Sequence, residues 1–303
     1  MRRRFRRRVG AVATLLALTL ATATVPAETV SIEHDGLILN GRYEPGPPGA
    51  PVVLMLHGTL AHADMEIMTT LREVFREEGW GSLAVSLGLA ESDRSGMYPC
   101  DSTHRHLADD AMRELPLWLE WLDARDVGRI VLLGHSRGGL QMAAFAAGDP
   151  RPGVEALVLV APTVAGDRSA AAAYRERFGE DLEPLLSRAE ALVAAGEGEA
   201  LMEGVGFLYC DDARVSAASF ASYYAAAAPE GVENLIGAVP YPVLVVAGGE
   251  DQVVTGLPVA LAPHLEDPRI SLVEIDGADH FFRDLYAYDV VEAVQDFVGD
   301  HSP

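Results

Sequence analysis

The stretch Ile130-Val131-Leu132-Leu133-Gly134-His135-Ser136-Arg137-Gly138-Gly139-Leu140 lies near the middle of a 303-residue chain and decides how the rest is read. Four apolar residues run straight into Gly134-His135-Ser136-Arg137-Gly138, and small residues at helical spacing follow at Ala143, Ala144 and Ala147. That order predicts strand, sharp turn, helix. In a G-x-S-x-G turn the serine takes strained backbone angles, and the glycines two before and two after it leave room for the neighbouring strand and helix. Its hydroxyl is then held clear of the sheet. The same pentapeptide also arises by accident in ordinary strand-to-helix turns, so it is the flanking context that makes Ser136 a candidate nucleophile.

Working outward, the pattern on both sides is a run of nearly all-apolar strands alternating with helices. Val52-Val53-Leu54-Met55-Leu56, Ser82-Leu83-Ala84-Val85, Ala156-Leu157-Val158-Leu159-Val160, Val243-Leu244-Val245-Val246-Ala247 and Ile270-Ser271-Leu272-Val273-Glu274-Ile275 read as strands, most of them buried on both faces. Between them Met68, Leu71, Val74 and Phe75 mark one helix face ended by Gly79, and Ala111, Leu115, Trp118 and Leu122 mark another that Pro116 is expected to kink. A last helix shows Tyr286, Val290, Ala293 and Phe297 on one side. The expected fold is α/β, a doubly wound, mostly parallel sheet. Thr29 to Ile32 and Leu37 to Tyr43, joined by Asp35-Gly36, add a hairpin ahead of it. The rhythm fails only between 165 and 239, where alanine-rich sequence carries Tyr174, Phe178, Phe207, Tyr209, Phe220, Tyr223 and Tyr224. A helical cap inserted over the sheet is expected there, with the core in 28–164 and 240–303.

The first residues, Met1-Arg2-Arg3-Arg4-Phe5-Arg6-Arg7-Arg8, lead into an apolar run from Val9 to Leu20 and then Val25-Pro26-Ala27. Charged, apolar and small-residue segments in that order predict a signal peptide over 1–27 and an exported, periplasmic or extracellular protein. The apolar run is too short to span a bilayer, so no stable membrane span is expected after cleavage. Six of the 23 basic residues fall in the first eight positions, which leaves 17 against 45 acidic residues, a net charge of -28 for the mature chain. Such a surface repels phosphate backbones and anionic lipid, and nucleic acid is excluded as a partner on that ground. Cys100 and Cys210 are the only cysteines. An even pair in an exported chain reads as a disulfide, two separate buried thiols being the alternative.

A serine needs a base and an orienting acid before it can attack at neutral pH. Open α/β sheets place their sites at the carboxyl ends of strands. After Ala247 comes Gly248-Gly249-Glu250-Asp251, and after Ile275 comes Asp276-Gly277-Ala278-Asp279-His280. Asp251 and His280 thus complete the chain order Ser, Asp, His, with Glu250 and Asp279 as the nearest competitors for the acid. Cys100, Asp101, His104 and His106 match no strong zinc spacing, so no metal is expected. His62 and His135 are read as shaping the site rather than reacting.

On these motifs the sequence resembles the serine-nucleophile members of the α/β-hydrolase fold family, of the capped lysophospholipase or serine-aminopeptidase-like kind. The resemblance implies that Gly134 to Gly138 is the nucleophile elbow, that Ser136, Asp251 and His280 are catalytic, and that His57-Gly58-Thr59 is the oxyanion loop. The backbone N–H groups of Thr59 and Arg137 would then bind the oxyanion. It further implies acyl transfer without a cofactor on a small-molecule ester or acyl substrate. A peptidase, thioesterase or perhydrolase would use the same three residues, and a non-catalytic binding protein could keep the fold while needing none of them. The cap matches no motif.

Overall fold

The computed structural model describes residues 27–165, 169–225 and 231–301. The expected signal peptide falls on residues outside this set, apart from Ala27. The described chain opens with β1 (Glu28–His34) and β2 (Leu37–Glu44), joined at Asp35 and Gly36, whose φ of 48° and 80° suit the tight turn between twisted antiparallel strands. It continues through β3 (Val52–Leu56), α1 (Glu66–Glu77), β4 (Gly81–Ser86), β5 (Thr103–His104), α2 (Asp110–Asp123), β6 (Ile130–His135), α3 (Arg137–Gly148) and β7 (Val154–Val160). After the insertion come β10 (Val243–Gly248), α7 (Leu257–Leu261), β11 (Ile270–Ile275) and α8 (Tyr286–His301).

Eight strands form one sheet in the order β1-β2-β4-β3-β6-β7-β10-β11, antiparallel at β1, β2 and β4 and parallel from β4 onward. The all-apolar strands follow from burial on both faces. Alternate residues of β3 divide between two cores: Val53 and Met55 pack with Met68, Leu71 and Phe75 of α1 and Val290, Val294 and Phe297 of α8. Val52, Leu54 and Leu56 pack with Trp118 of α2 and Met142 and Phe145 of α3. Helix α2 runs through Pro116 as one element. From β3 the chain steps to β4 on one side and then, through α2, to β6 on the other. The sheet therefore changes direction between β3 and β6, and a crevice opens beyond their carboxyl ends. Leu56 is in register with Gly134, so His57-Gly58 and His135-Ser136 leave the sheet side by side.

The insertion between β7 and β10 holds the expected helices, α4 (Ala170–Phe178), α5 (Leu182–Ala194) and α6 (Ala217–Tyr224). It also holds a hairpin that the alanine-rich pattern did not predict, β8 (Leu201–Phe207) and β9 (Cys210–Ser216). The alternation is present in the buried Met202, Val205 and Phe207 and the exposed Glu203, but a bulge at Gly204, with φ of 68°, shifts its phase. A bulge inserts one unpaired residue and so breaks the period of two that sequence reading relies on. β5, from the long loop after β4, adds to β9 as a third strand. The same loop is tied to the hairpin by a disulfide between Cys100 and Cys210, which closes a sequence separation of 110 residues. Restricting so long a loop in the unfolded chain contributes roughly 3–5 kcal/mol in the chain-entropy account.

Candidate active site

Ser136 stands between β6 and α3 with φ 54° and ψ -124°. A residue other than glycine held there costs on the order of 1–3 kcal/mol, which the packed strand and helix on either side must offset. The two outer glycines of the motif are required by close approach. A Cβ on Gly134 would lie 2.4 Å from Gly138 O, and one on Gly138 would lie 2.3 Å from His57 O. The elbow is further fixed by Ser136 N–H donating to Val160 O at 2.9 Å, while Ser136 O accepts from Gly139 N–H at 2.9 Å. Arg137 is the first residue of α3, so its N–H belongs to the helix end where no intrahelical acceptor exists and the macrodipole is positive.

His280 and Asp251 come together at the carboxyl ends of β11 and β10. His280 Nδ1 lies 2.8 Å from Asp251 Oδ2, and both side chains are buried. Asp251 Oδ1 accepts the N–H groups of Val253 and Val254 at 2.7 and 2.9 Å, which fixes the carboxylate. Burial pushes the Asp251 pKa up, but the hydrogen bonds from His280, Val254 and Val253 outweigh it and leave it below the usual value. The competitors sit elsewhere. Asp279 accepts from Phe281 N–H and pairs with Arg283, and Glu250 is exposed.

His135, the residue before Ser136, ties this pair to the elbow. Its Nε2–H donates to His280 O at 2.9 Å, and the two imidazole rings lie 4.8 Å apart between centroids. Full burial lowers the His135 pKa to about 4, with the neighbouring His280 adding to the effect, so the ring is neutral, and its Nδ1 has no hydrogen-bond partner among the described residues. Ser136 Oγ itself caps no N–H of α3 and makes no hydrogen bond to His280 among the described residues. Ser136 and His280 thus lie at one end of the sheet with no hydrogen bond between them.

The loop after β3 closes the other side. A Cβ on Gly58 would lie 3.2 Å from Ser136 Cβ, so the loop backbone passes directly over the serine. His57, buried, accepts Leu87 N–H on Nε2 at 3.1 Å and carries its proton on Nδ1, 2.8 Å from Gly58 O. Burial first, and then the Arg94 charge, lower its pKa to about 3. Arg94 is a residue that sequence reading missed. Its guanidinium is buried and donates to Ala61 O, Leu87 O and Gly96 O at 2.7, 2.7 and 2.9 Å, clamping the Gly58 to Ala61 loop to the loop after β4. A lone arginine in a long loop carries no motif that would have pointed to it. Thr59 and Arg137 meet here as well, Arg137 Nε donating to Thr59 Oγ1 at 3.3 Å. No acceptor for the Thr59 N–H is present among the described residues.

Above the elbow lie two cavities of about 250 and 320 Å³, both bordered by Arg137, Leu140 and Tyr223 of α6. The smaller one also touches Thr163, whose N–H lies 3.4 Å from Ser136 O. Tyr223 Oη is 2.9 Å from His106 Nδ1, and His106 Nε2 is 3.1 Å from His104 Nδ1. These two histidines therefore pack against Tyr223 and Phe207 of the insertion, and Cys100 is bonded in the disulfide. No group of three or more metal-binding side chains occurs among the described residues. No helix among them is long and apolar enough to cross a membrane.

Comparison with known proteins agrees with this architecture. The model of the alpha/beta hydrolase family matches residues 53–294. Among solved structures, Est1E from Butyrivibrio proteoclasticus with ferulic acid bound superposes with a TM-score of 0.65 at 21% identity, over 90% of this chain and 98% of that one. The alpha/beta hydrolase GrgF from Penicillium sp. sh18 gives 0.65 at 20% identity, over 91% and 99%. An esterase of Pyrococcus furiosus gives 0.58 at 18%, over 90% of each chain. At such identities these structures share the fold alone. None of the curated proteins matches the sequence at a significant level. With its parallel sheet, its elbow at the switch point and a family match over most of its length, the chain belongs to the alpha/beta hydrolase family.

Proposed function

We propose that the protein is an exported serine hydrolase that cleaves carboxylic esters through an acyl-enzyme on Ser136. The observation that carries this reading is the strained Ser136 at the sheet's switch point, facing the same end of the sheet as a buried His280–Asp251 pair. In the first half-reaction Ser136 Oγ bonds to the ester carbonyl carbon as His280 takes its proton on Nε2. Asp251, on Nδ1, holds the tautomer that leaves Nε2 free and stabilises the imidazolium. The oxyanion is met by the N–H groups of Arg137 and Thr59, each such donor contributing a hundredfold or more in rate. The ester C–O bond then breaks, and the alcohol leaves with the proton from His280. Water repeats the sequence with the acyl-enzyme, its proton passing to His280 and back to Ser136, and a carboxylic acid departs. The open Ser136 to His280 contact is compatible with this chemistry, since such hydrogen bonds often tighten only when substrate binds.

We take an ester over an amide from two structures of this fold, an esterase of Pyrococcus furiosus and Est1E solved with ferulic acid bound. Export accords with the leader-like N-terminus and with the Cys100–Cys210 bond, a linkage that persists in oxidising compartments. The test is hydrolysis of esters of graded acyl length alongside matched amides and thioesters, with Ser136→Ala as the blank. Ester turnover that disappears in the variant is expected. Turnover that survives Ser136→Ala, or is confined to amides or thioesters, contradicts the reading.

A further inference from the structure

Arginine is the only strongly basic side chain in this sequence, and 45 acidic residues are available to pair with it. Many of the described arginines form such pairs, as Arg42 does with Asp64, Arg129 with Glu155 and Arg269 with Asp267. The two that border the smaller cavity next to the elbow, Arg137 and Arg177, form none among the described residues. Arg137 is oriented by neutral groups, Thr59 Oγ1 and the Tyr223 ring, whose centroid lies 5.4 Å from the guanidinium carbon. Arg177 is likewise held by Tyr209 O at 3.2 Å and by the Phe178 ring. No aspartate or glutamate lines this cavity among the described residues. Tyr224 lines the same cavity as both arginines; burial pushes its hydroxyl pKa up, against the Leu208 N–H bond first and then the charges of Arg137 and Arg177. The larger cavity differs, since Asp109 borders it beside apolar Met112 and Ala144.

We propose that the smaller cavity is a carboxylate subsite: the substrate is an ester that carries a second, anionic group, held by Arg137 and Arg177 while its less polar part occupies the larger cavity. The inference rests on the esterase reading and names the substrate class for that site. A guanidinium presents paired N–H donors in a planar fork that matches a carboxylate, and both arginines keep N–H donors without acceptors among the described residues. An ester whose charged group sits so close to the elbow is positioned by the same residue whose N–H meets the oxyanion. Binding and chemistry are therefore coupled through Arg137.

The test uses two pairs of esters. One pair has a terminal carboxylate on the acyl chain and the other has it on the alcohol, each set against the uncharged carboxamide of the same shape. In wild-type protein, kcat/KM for the charged member of at least one pair is expected to exceed its carboxamide by about tenfold or more, the scale of a charged hydrogen bond. The ratio should fall towards one in Arg137→Gln, fall in part in Arg177→Gln, and shrink as salt is raised. A ratio is read because any loss of oxyanion geometry in Arg137→Gln lowers both members together. Equal kcat/KM within both pairs, or a preference untouched by Arg137→Gln, overturns the proposal. Calorimetric binding of the same four esters to Ser136→Ala reads the preference without turnover. Tighter binding of a carboxylate there supports the subsite even if no ester is cleaved, an outcome that would count against the esterase reading alone, and equal binding rejects the subsite.

Discussion

Asp251, Glu250 and Asp279 are three carboxylates within the two turns that end β10 and β11, and only the geometry separates them. Asp251 is buried against His280 Nδ1, whereas Asp279 is engaged by Arg283 and Glu250 faces solvent. Asp251→Asn should therefore lower kcat on an activated ester by on the order of a thousandfold or more, because the amide offers His280 the wrong hydrogen-bonding partner. Glu250→Gln should stay within a few fold of wild type. Steady-state kinetics on the two variants checks both, and a large loss from Glu250→Gln would reassign the acid. The histidines divide in the same manner. His135 and His57 are neutral struts, one holding the His280 backbone and one the loop after β3. The residue types and order of Ser136, Asp251 and His280 were legible in the sequence because each follows an apolar strand. The supporting Arg94 was not, since its role lies in three backbone carbonyls brought together only by the fold.

At the scale of elements, the strand–elbow–helix unit of β6 and α3 sets what substitutions are tolerated. A Cβ at Gly138 would meet His57 O at 2.3 Å, while one at Gly148, at the far end of the same helix, meets nothing within 4 Å. Gly138→Ala is expected to cost about 3 kcal/mol or more, as overpacking against backbone does. Gly148→Ala should instead stabilise by about 0.5 kcal/mol through lost unfolded-state freedom. Urea unfolding of the two variants tests the contrast, and equal effects would mean that the glycines are not set by packing. The core strands were readable from sequence because burial on both faces makes them continuously apolar. The β8–β9 hairpin was hidden, since a bulge at Gly204 breaks its alternation and alanine-rich helices surround it. The pairing of β5 with β9 had no sequence signal at all: a two-residue strand carries no period.

Over the whole molecule, buried titratable groups set how stability follows pH. Burial lowers His57 and His106 from 6.5 to about 3 and His135 to about 4. The unfolded chain thus binds protons that the folded chain refuses. Their contribution is fully present above pH 6.5 and is lost progressively as pH falls towards those lowered values. Glu114 has the opposite sign, since burial raises its pKa from 4.5 to about 7. Its contribution is present below 4.5 and is lost as pH rises through about 7. Burial also lowers His62 and His104 and raises Glu44 and Asp110. With five histidines against three carboxylates, the urea midpoint should climb between pH 4.5 and 6.5, and Glu114→Gln should climb more steeply and exceed wild type above pH 7. A flat profile in both proteins would contradict this balance.

The fold, the elbow and the His280–Asp251 pair converge on one chemical claim, that Ser136 is an activated nucleophile. Intact mass after incubation with a fluorophosphonate tests it most directly. A single covalent adduct is expected on the wild-type protein, none on Ser136→Ala and a strongly slowed reaction on His280→Ala. An adduct that persists in folded Ser136→Ala, or no adduct on folded wild type, would contradict it.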